Sequence, residues 1–353
     1  MSRSVPIAAA VVLLGVLSGA RICAQDQPGK PDEAAKPAPS PKKNAGQEDL
    51  NKATGAKIDA KTLSDLGEVI KLCKKALEKG LDEGNTQYAR TLLGSTLIQR
   101  GSAVASAVLG GSLLDPRMGQ FRRVALADLE LGVSLSPEQP EALLLIAKLN
   151  LLPGGDTQRA AKALDDCIAL KDGDPRNKAE ALIARAGLQK DPDKRLADLN
   201  EAVRLAPGQP AAVRARGMVY AGQGKLDLAL ADFEAAIKLE PEHAPTHEAK
   251  AMVLAKQEKY DEALAALARA RKVEPKSAGP LVQQARVHAL QMNLQAALND
   301  LNQAQALEPD NLGVLLLRAS IHQELKDNDK AMADVNRALK LRPGLPPAVR
   351  FRA

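Results

Sequence analysis

The sequence contains very few aromatic residues. Trp is absent and aromatic residues make up 2% of the 353 positions. A hydrophobic core must therefore be built from Leu, Ala and Val, of which Leu and Ala favour helix. Binding of single-stranded nucleic acid needs aromatic rings beside positive charge, yet the formal net charge is only +6, from 49 basic and 43 acidic residues. The composition predicts a helical protein and no nucleic-acid partner.

Residues that perform chemistry are also scarce. The chain has three cysteines and four histidines. Cys73 and Cys167 lie too far apart along the chain for a disulfide between stacked helices, so both are expected to be buried, unpaired thiols. Neither a zinc-ligand spacing nor a nucleophile beside a base is present. We therefore predict no catalysis, no metal and no cofactor.

Long hydrophobic runs are missing apart from one near the start. Arg3 precedes an apolar stretch of residues 7–17, and small residues follow it. This pattern is typical of a secretory signal peptide over 1–24, cleaved after Ala20 or Ala24, and it predicts a periplasmic or extracellular protein. A retained anchor is the alternative, although the stretch is shorter than the about 20 residues that span a bilayer.

Residues 25–61 are rich in Pro, Lys and Ala. Such a composition buries too little apolar surface to fold, so this segment is predicted to be a disordered linker. Folded structure is expected to begin near Thr62, where Thr62 and Asp65 have the spacing of a capping box.

The dominant feature of the chain is a repeat of 34 residues. It places prolines at equal intervals, each preceded by an alanine five residues earlier and, three residues before that, by a bulky apolar residue. The prolines are Pro207, Pro241, Pro275, Pro309 and Pro343. Because the residue before a proline is disfavoured in the α region, each repeat is expected to end a helix there.

This period and these residue types resemble the tetratricopeptide repeat, a helix–turn–helix unit. With the proline numbered as position 32, Gly217, Tyr220, Ala229, Phe233 and Ala236 occupy positions 8, 11, 20, 24 and 27. Small residues at 8, 20 and 27 suit closely packed helices. The resemblance implies an all-α, right-handed superhelix of stacked helix pairs.

The period divides the chain into units. Residues 62–137 are predicted to be degenerate units with an insertion at 101–120, and 138–175 a further unit. The insertion is either an apolar arm that contacts a partner or an extended first helix with a loop. Five repeats are predicted at 176–209, 210–243, 244–277, 278–311 and 312–345. Residues 346–353 match the start of another repeat, so the chain is expected to be part of a longer one.

In the resembled family, first-helix positions line a concave groove that binds peptides. The resemblance therefore implies a scaffold or adaptor that binds a protein or peptide. The alternatives are the recognition part of a larger enzyme and a structural part of an envelope assembly. The residues predicted to line the groove are Arg214, Met218, Glu248, Met252, Lys256, Gln283, Arg286, Leu317, Ser320 and Gln323.

Overall fold

The computed structural model describes residues 44–111, 115–171 and 173–352. This range contains 17 helices and no strand, which confirms the all-α prediction. The predicted signal peptide, residues 1–24, lies outside the described residues. The chain forms two compact units, one ending at Gly173 and the other beginning at Asp174.

The described residues of the first unit form six helices, and each helix contacts the next along the chain. They are α1 (Gln47–Asp59), α2 (Leu63–Lys79), α3 (Glu83–Gly110), α4 (Met118–Leu135), α5 (Pro140–Leu151) and α6 (Thr157–Ala169). The start of α2 matches the sequence prediction. The Thr62 hydroxyl accepts a hydrogen bond from the Asp65 amide, and the Asp65 carboxylate accepts one from the Thr62 amide.

Helix α1 corrects the prediction of a disordered linker through residue 61. It lies inside that segment and packs on α2. Leu50 and Ala53 are fully buried against Val69 and Cys73, and Asp49 forms an ion pair with Lys75 at 3.1 Å. These two apolar residues, one turn apart, and this ion pair attach α1 to α2, although the composition around them is polar.

The first half of the predicted insertion at 101–120, residues 101–110, is a continuation of α3. Gly101, Val104, Ala105 and Val108 are buried on this extension, which packs on α4 and α5. This is the extended-helix alternative and not a free apolar arm. By length and composition α3 could cross a bilayer, but half of its most apolar stretch is buried inside the protein, as in a core helix.

The second unit consists of five antiparallel helix pairs and one short helix. The first helices of the pairs are α7 (Pro175–Leu188), α9 (Pro210–Gly222), α11 (Ala244–Lys256), α13 (Gly279–Leu290) and α15 (Leu312–Glu324). The second helices are α8 (Pro192–Leu205), α10 (Leu226–Leu239), α12 (Tyr260–Val273), α14 (Leu294–Leu307) and α16 (Asn328–Leu341). Helix α17 (Pro346–Arg352) follows. Each second helix ends two residues before a repeat proline, as the sequence predicts.

Small residues allow the two helices of a pair to approach closely. A Cβ placed on Gly217 would lie 2.9 Å from Cε1 of Phe233, so α9 and α10 could not keep their separation with a larger residue there. Phe233 itself is 1% exposed. This contact between positions 8 and 24 is the one that the repeat pattern predicts.

The turns of four pairs, α9–α10, α11–α12, α13–α14 and α15–α16, have a left-handed residue at position 15. Gly224 adopts φ +74° there, whereas Glu258, Met292 and Lys326 adopt φ between +59° and +62°. Such a conformation is strained for residues with a Cβ. In these four repeats the tight turn between first and second helix therefore does not depend on glycine.

Candidate binding face

The candidate site is the face formed by the exposed and half-buried side chains of α9, α11, α13 and α15, here called the first-helix face. Helix α9 contacts α11, and α11 contacts α13. The 34-residue period therefore brings equivalent positions of successive first helices next to one another. All ten residues predicted to line a groove lie on these four helices.

The ten residues differ in accessibility. Exposed side chains are Met218, at 59%, and Lys256, Arg286 and Gln323. Half-buried ones are Arg214, Glu248, Met252, Gln283, Leu317 and Ser320. Two Met side chains give this face adaptable apolar contacts, and Leu317 adds a third apolar residue.

Two of the predicted residues are already engaged within the protein. Arg214 forms an ion pair with Glu240, which follows α10. The hydroxyl of Ser320 donates a hydrogen bond to the carbonyl oxygen of Leu316 at 3.1 Å. These side chains are therefore less available for contacts outside the chain than their positions alone indicate.

Glu248, unlike Arg214 and Ser320, has no hydrogen-bond or ion-pair partner among the described residues. Its oxygens lie 3.3 and 3.4 Å from the place that a Cβ on Gly279 would occupy, so the carboxylate sits between α11 and α13. Burial, and next the negative charge of Glu274, raise the pKa of the Glu248 carboxyl. A carboxylate held in this way interacts favourably with an added positive charge.

Sequence reasoning missed a second set of charged residues, which lies between the helices of a pair. Aspartates at position 23 are buried, and each accepts hydrogen bonds from a first helix. Arg185 binds Asp198, Arg216 binds Asp232, His288 binds Asp300 and Arg318 binds Asp334. The signal was available, because Asp198, Asp232, Asp300 and Asp334 are separated by multiples of the repeat length.

The histidines and cysteines take structural positions. Among the residues that the structure describes, no group of three or more His, Cys, Asp or Glu side chains is arranged to hold a metal ion. Cys73 and Cys167 are buried, and burial raises the pKa of the Cys73 thiol to about 11. A thiol with so high a pKa is a poor nucleophile at neutral pH.

These helix pairs define a class, the α-helical repeat proteins. Sequence models of the tetratricopeptide repeat match residues 141–170, 182–255, 248–300 and 282–346. The chain belongs to the tetratricopeptide repeat family. No curated protein sequence matches it.

Solved structures with the same architecture share little sequence identity with the chain. A tetratricopeptide repeat protein from Parabacteroides merdae is 16% identical with a TM-score of 0.56, and the match covers 73% of this chain and 96% of that one. The Cut9–Hcn1 hetero-tetramer of the APC/C is 17% identical with a TM-score of 0.53, and the match covers 87% of this chain and 55% of that one. MamA from Desulfovibrio magneticus RS-1 is 20% identical with a TM-score of 0.43, and the match covers 50% of this chain and 99% of that one. The first two show the fold.

Proposed function

We propose that this chain is a scaffold or adaptor that binds a protein or peptide partner on its first-helix face and does not itself catalyse a reaction. Stacked helix repeats create extended surfaces suited to such binding. The observation that carries the proposal is the set of exposed side chains without hydrogen-bond or ion-pair partners in the described part of the chain. Such side chains are Met218 on α9, Lys256 on α11, Arg286 on α13 and Gln323 on α15.

The test is affinity capture from cells of the source organism with two matched triple variants. The first replaces Met218, Arg286 and Gln323 by Ala on the first-helix face. The control replaces Met332, Arg269 and Gln295, which are exposed on the second helices α16, α12 and α14. Both variants remove one Met, one Arg and one Gln, so they change composition and charge equally.

Binding on the first-helix face predicts a partner that the wild type and the control retain and the first variant loses. Loss of a partner only in the control would instead place the site on the second helices. Equal capture by all three proteins would also contradict the proposal. Because all six residues are exposed, both variants are expected to fold with thermal midpoints close to that of the wild type.

We further propose that the protein is exported, with residues 1–24 as its signal peptide. The support is the order of Arg3, an apolar stretch and small residues at 18–20 and 24. N-terminal sequencing of the protein isolated from its host is expected to begin at Arg21 or Gln25. An N-terminus at residue 1 or 2 on the isolated protein would contradict cleavage.

A further inference from the structure

We infer that the partner of the first-helix face presents a basic side chain, Arg or Lys, that is bound by Glu248 together with Glu274. This inference rests on the proposed function and specifies the charge of one side chain of the partner, the one that contacts Glu248. It is carried by a comparison of two successive repeats within this chain.

The same pair of positions carries opposite charges in one repeat and equal charges in the next. In the repeat 210–243, Arg214 on α9 forms an ion pair with Glu240 just after α10. One period later these positions are Glu248 on α11 and Glu274 just after α12. The cation of the pair has been replaced by a second carboxylate, and the partner position has stayed acidic.

The two negative charges are not compensated within the described part of the chain. No residue that the structure describes forms a hydrogen bond or an ion pair with the Glu248 carboxylate, which is half-buried beside Gly279 at the start of α13. Burial and the charge of Glu274 raise its pKa, as described above. A cation that reaches this carboxylate would supply the charge that Arg214 supplies in the preceding repeat.

The surroundings fit a side chain of a peptide better than a free ion. Met218 and Met252 are one period apart and stand one helical turn after Arg214 and Glu248, on the same faces of α9 and α11. An extended or helical segment that lies along this face would meet an apolar contact in each repeat and a carboxylate in one. The N–H groups of a guanidinium or ammonium group can donate hydrogen bonds to both carboxylates.

The experiment is a selection of random peptides displayed on phage against the purified full chain. The same library is selected in parallel against Glu248→Gln and against Glu262→Gln, an exposed carboxylate on α12 that serves as the charge-matched control. Selected peptides are then synthesised, and their affinities are measured by fluorescence anisotropy. Selection against the triple variant at Met218, Arg286 and Gln323 identifies the peptides that use the first-helix face.

The expected result is enrichment of Arg or Lys at one position of the face-dependent peptides. Glu248→Gln is expected to weaken these peptides about tenfold, the effect of losing one charged hydrogen bond, and Glu262→Gln to leave them unchanged. Face-dependent peptides without a basic residue, or equal binding to Glu248→Gln, would overturn this inference and leave the proposed function standing. Failure to select any face-dependent peptide would overturn both.

A second variant tests the same site without a peptide. Glu248→Arg would restore the Arg–Glu pair of the preceding repeat, now with Glu274. It is expected to raise the thermal midpoint above that of Glu248→Gln and to abolish the preference for basic peptides. A lower midpoint than that of Glu248→Gln would show that the two positions are not close enough to pair and would contradict the inference.

Discussion

At the scale of single residues, the buried Arg–Asp pairs determine how helices meet. Arg216 donates two hydrogen bonds to Asp232, at 2.9 and 2.7 Å, and a third to the side-chain oxygen of Asn200 in the preceding repeat at 3.2 Å. Arg318 makes the same three contacts with Asp334 and Asn302. One guanidinium therefore joins the two helices of its own repeat and the second helix of the repeat before it.

This arrangement predicts a large effect of removing one partner. Asp232→Ala leaves the Arg216 charge largely buried and without its carboxylate, so we expect a loss of about 2–3 kcal/mol in the free energy of unfolding. Chemical denaturation measures it. The control Glu234→Ala breaks the exposed pair with Lys250 and should cost less than about 1 kcal/mol. Equal losses in the two variants would contradict a structural role for the buried pair.

A second residue-scale prediction concerns His322, which occupies the same repeat position as His288. Its Nδ1 atom is buried and has no hydrogen-bond partner among the described residues, because Arg318 binds Asp334, the carboxylate equivalent to the partner of His288. Burial lowers the pKa of His322 below its usual 6.5; Asp334 and Asp327 oppose the shift, whereas Arg318 and Lys330 add to it.

The sign of the pH dependence follows from this lowered pKa. Below pH 6.5 the unfolded chain binds a proton at His322 before the folded chain does, so stability is lost as the pH falls from 6.5 toward the folded pKa. His322→Leu should remove this loss. Urea denaturation of both proteins between pH 7.5 and 5 tests it, and the difference between them cancels the other titrating groups. Parallel curves for the two proteins would contradict the prediction.

At the scale of helices, the period predicted the second unit well because its repeats obey one rule. Prolines end the second helices, and Gly or Ala stands at position 8 in α9, α11, α13 and α15. Helix α1 was missed because, with Val69 of α2 counted as position 20, position 8 of its repeat is Lys57. The preceding sequence is also proline-rich. Its burial depends on contacts with α2 that a composition average does not reveal.

The candidate face was predictable only in part for a related reason. First-helix positions follow from the period, and the ten residues do lie on the first helices α9, α11, α13 and α15. Whether a side chain already has an ion-pair partner within the protein depends on residues far along the chain, as for Arg214 and Glu240. The contrast between this pair and Glu248 with Glu274 becomes visible once the contact between positions 5 and 31 is known from the structure.

At the scale of the whole molecule, contacts are local in sequence. Within each unit a helix packs on the next helix or on the one after it. The free energy of unfolding of such proteins is close to the sum of the intrinsic stabilities of the repeats and the interface energies between neighbouring repeats. Damage to one repeat should therefore loosen that repeat and its neighbours and leave distant repeats folded.

Helix α1 offers a direct test of this locality. Leu50→Ala removes a side chain that is 1% exposed and packs in the cluster with Val69, Ile70 and Cys73, so the local loss should be about 2–5 kcal/mol. Hydrogen exchange is expected to lose protection in α1 to α3 and to keep it in α9 to α12. Ile58 is on the same helix but 83% exposed, so Ile58→Ala should change neither the local stability nor the hydrogen-exchange protection. If Leu50→Ala behaved like Ile58→Ala, α1 would not be packed. A loss of protection throughout α9 to α12 would instead show that the chain unfolds as one cooperative body.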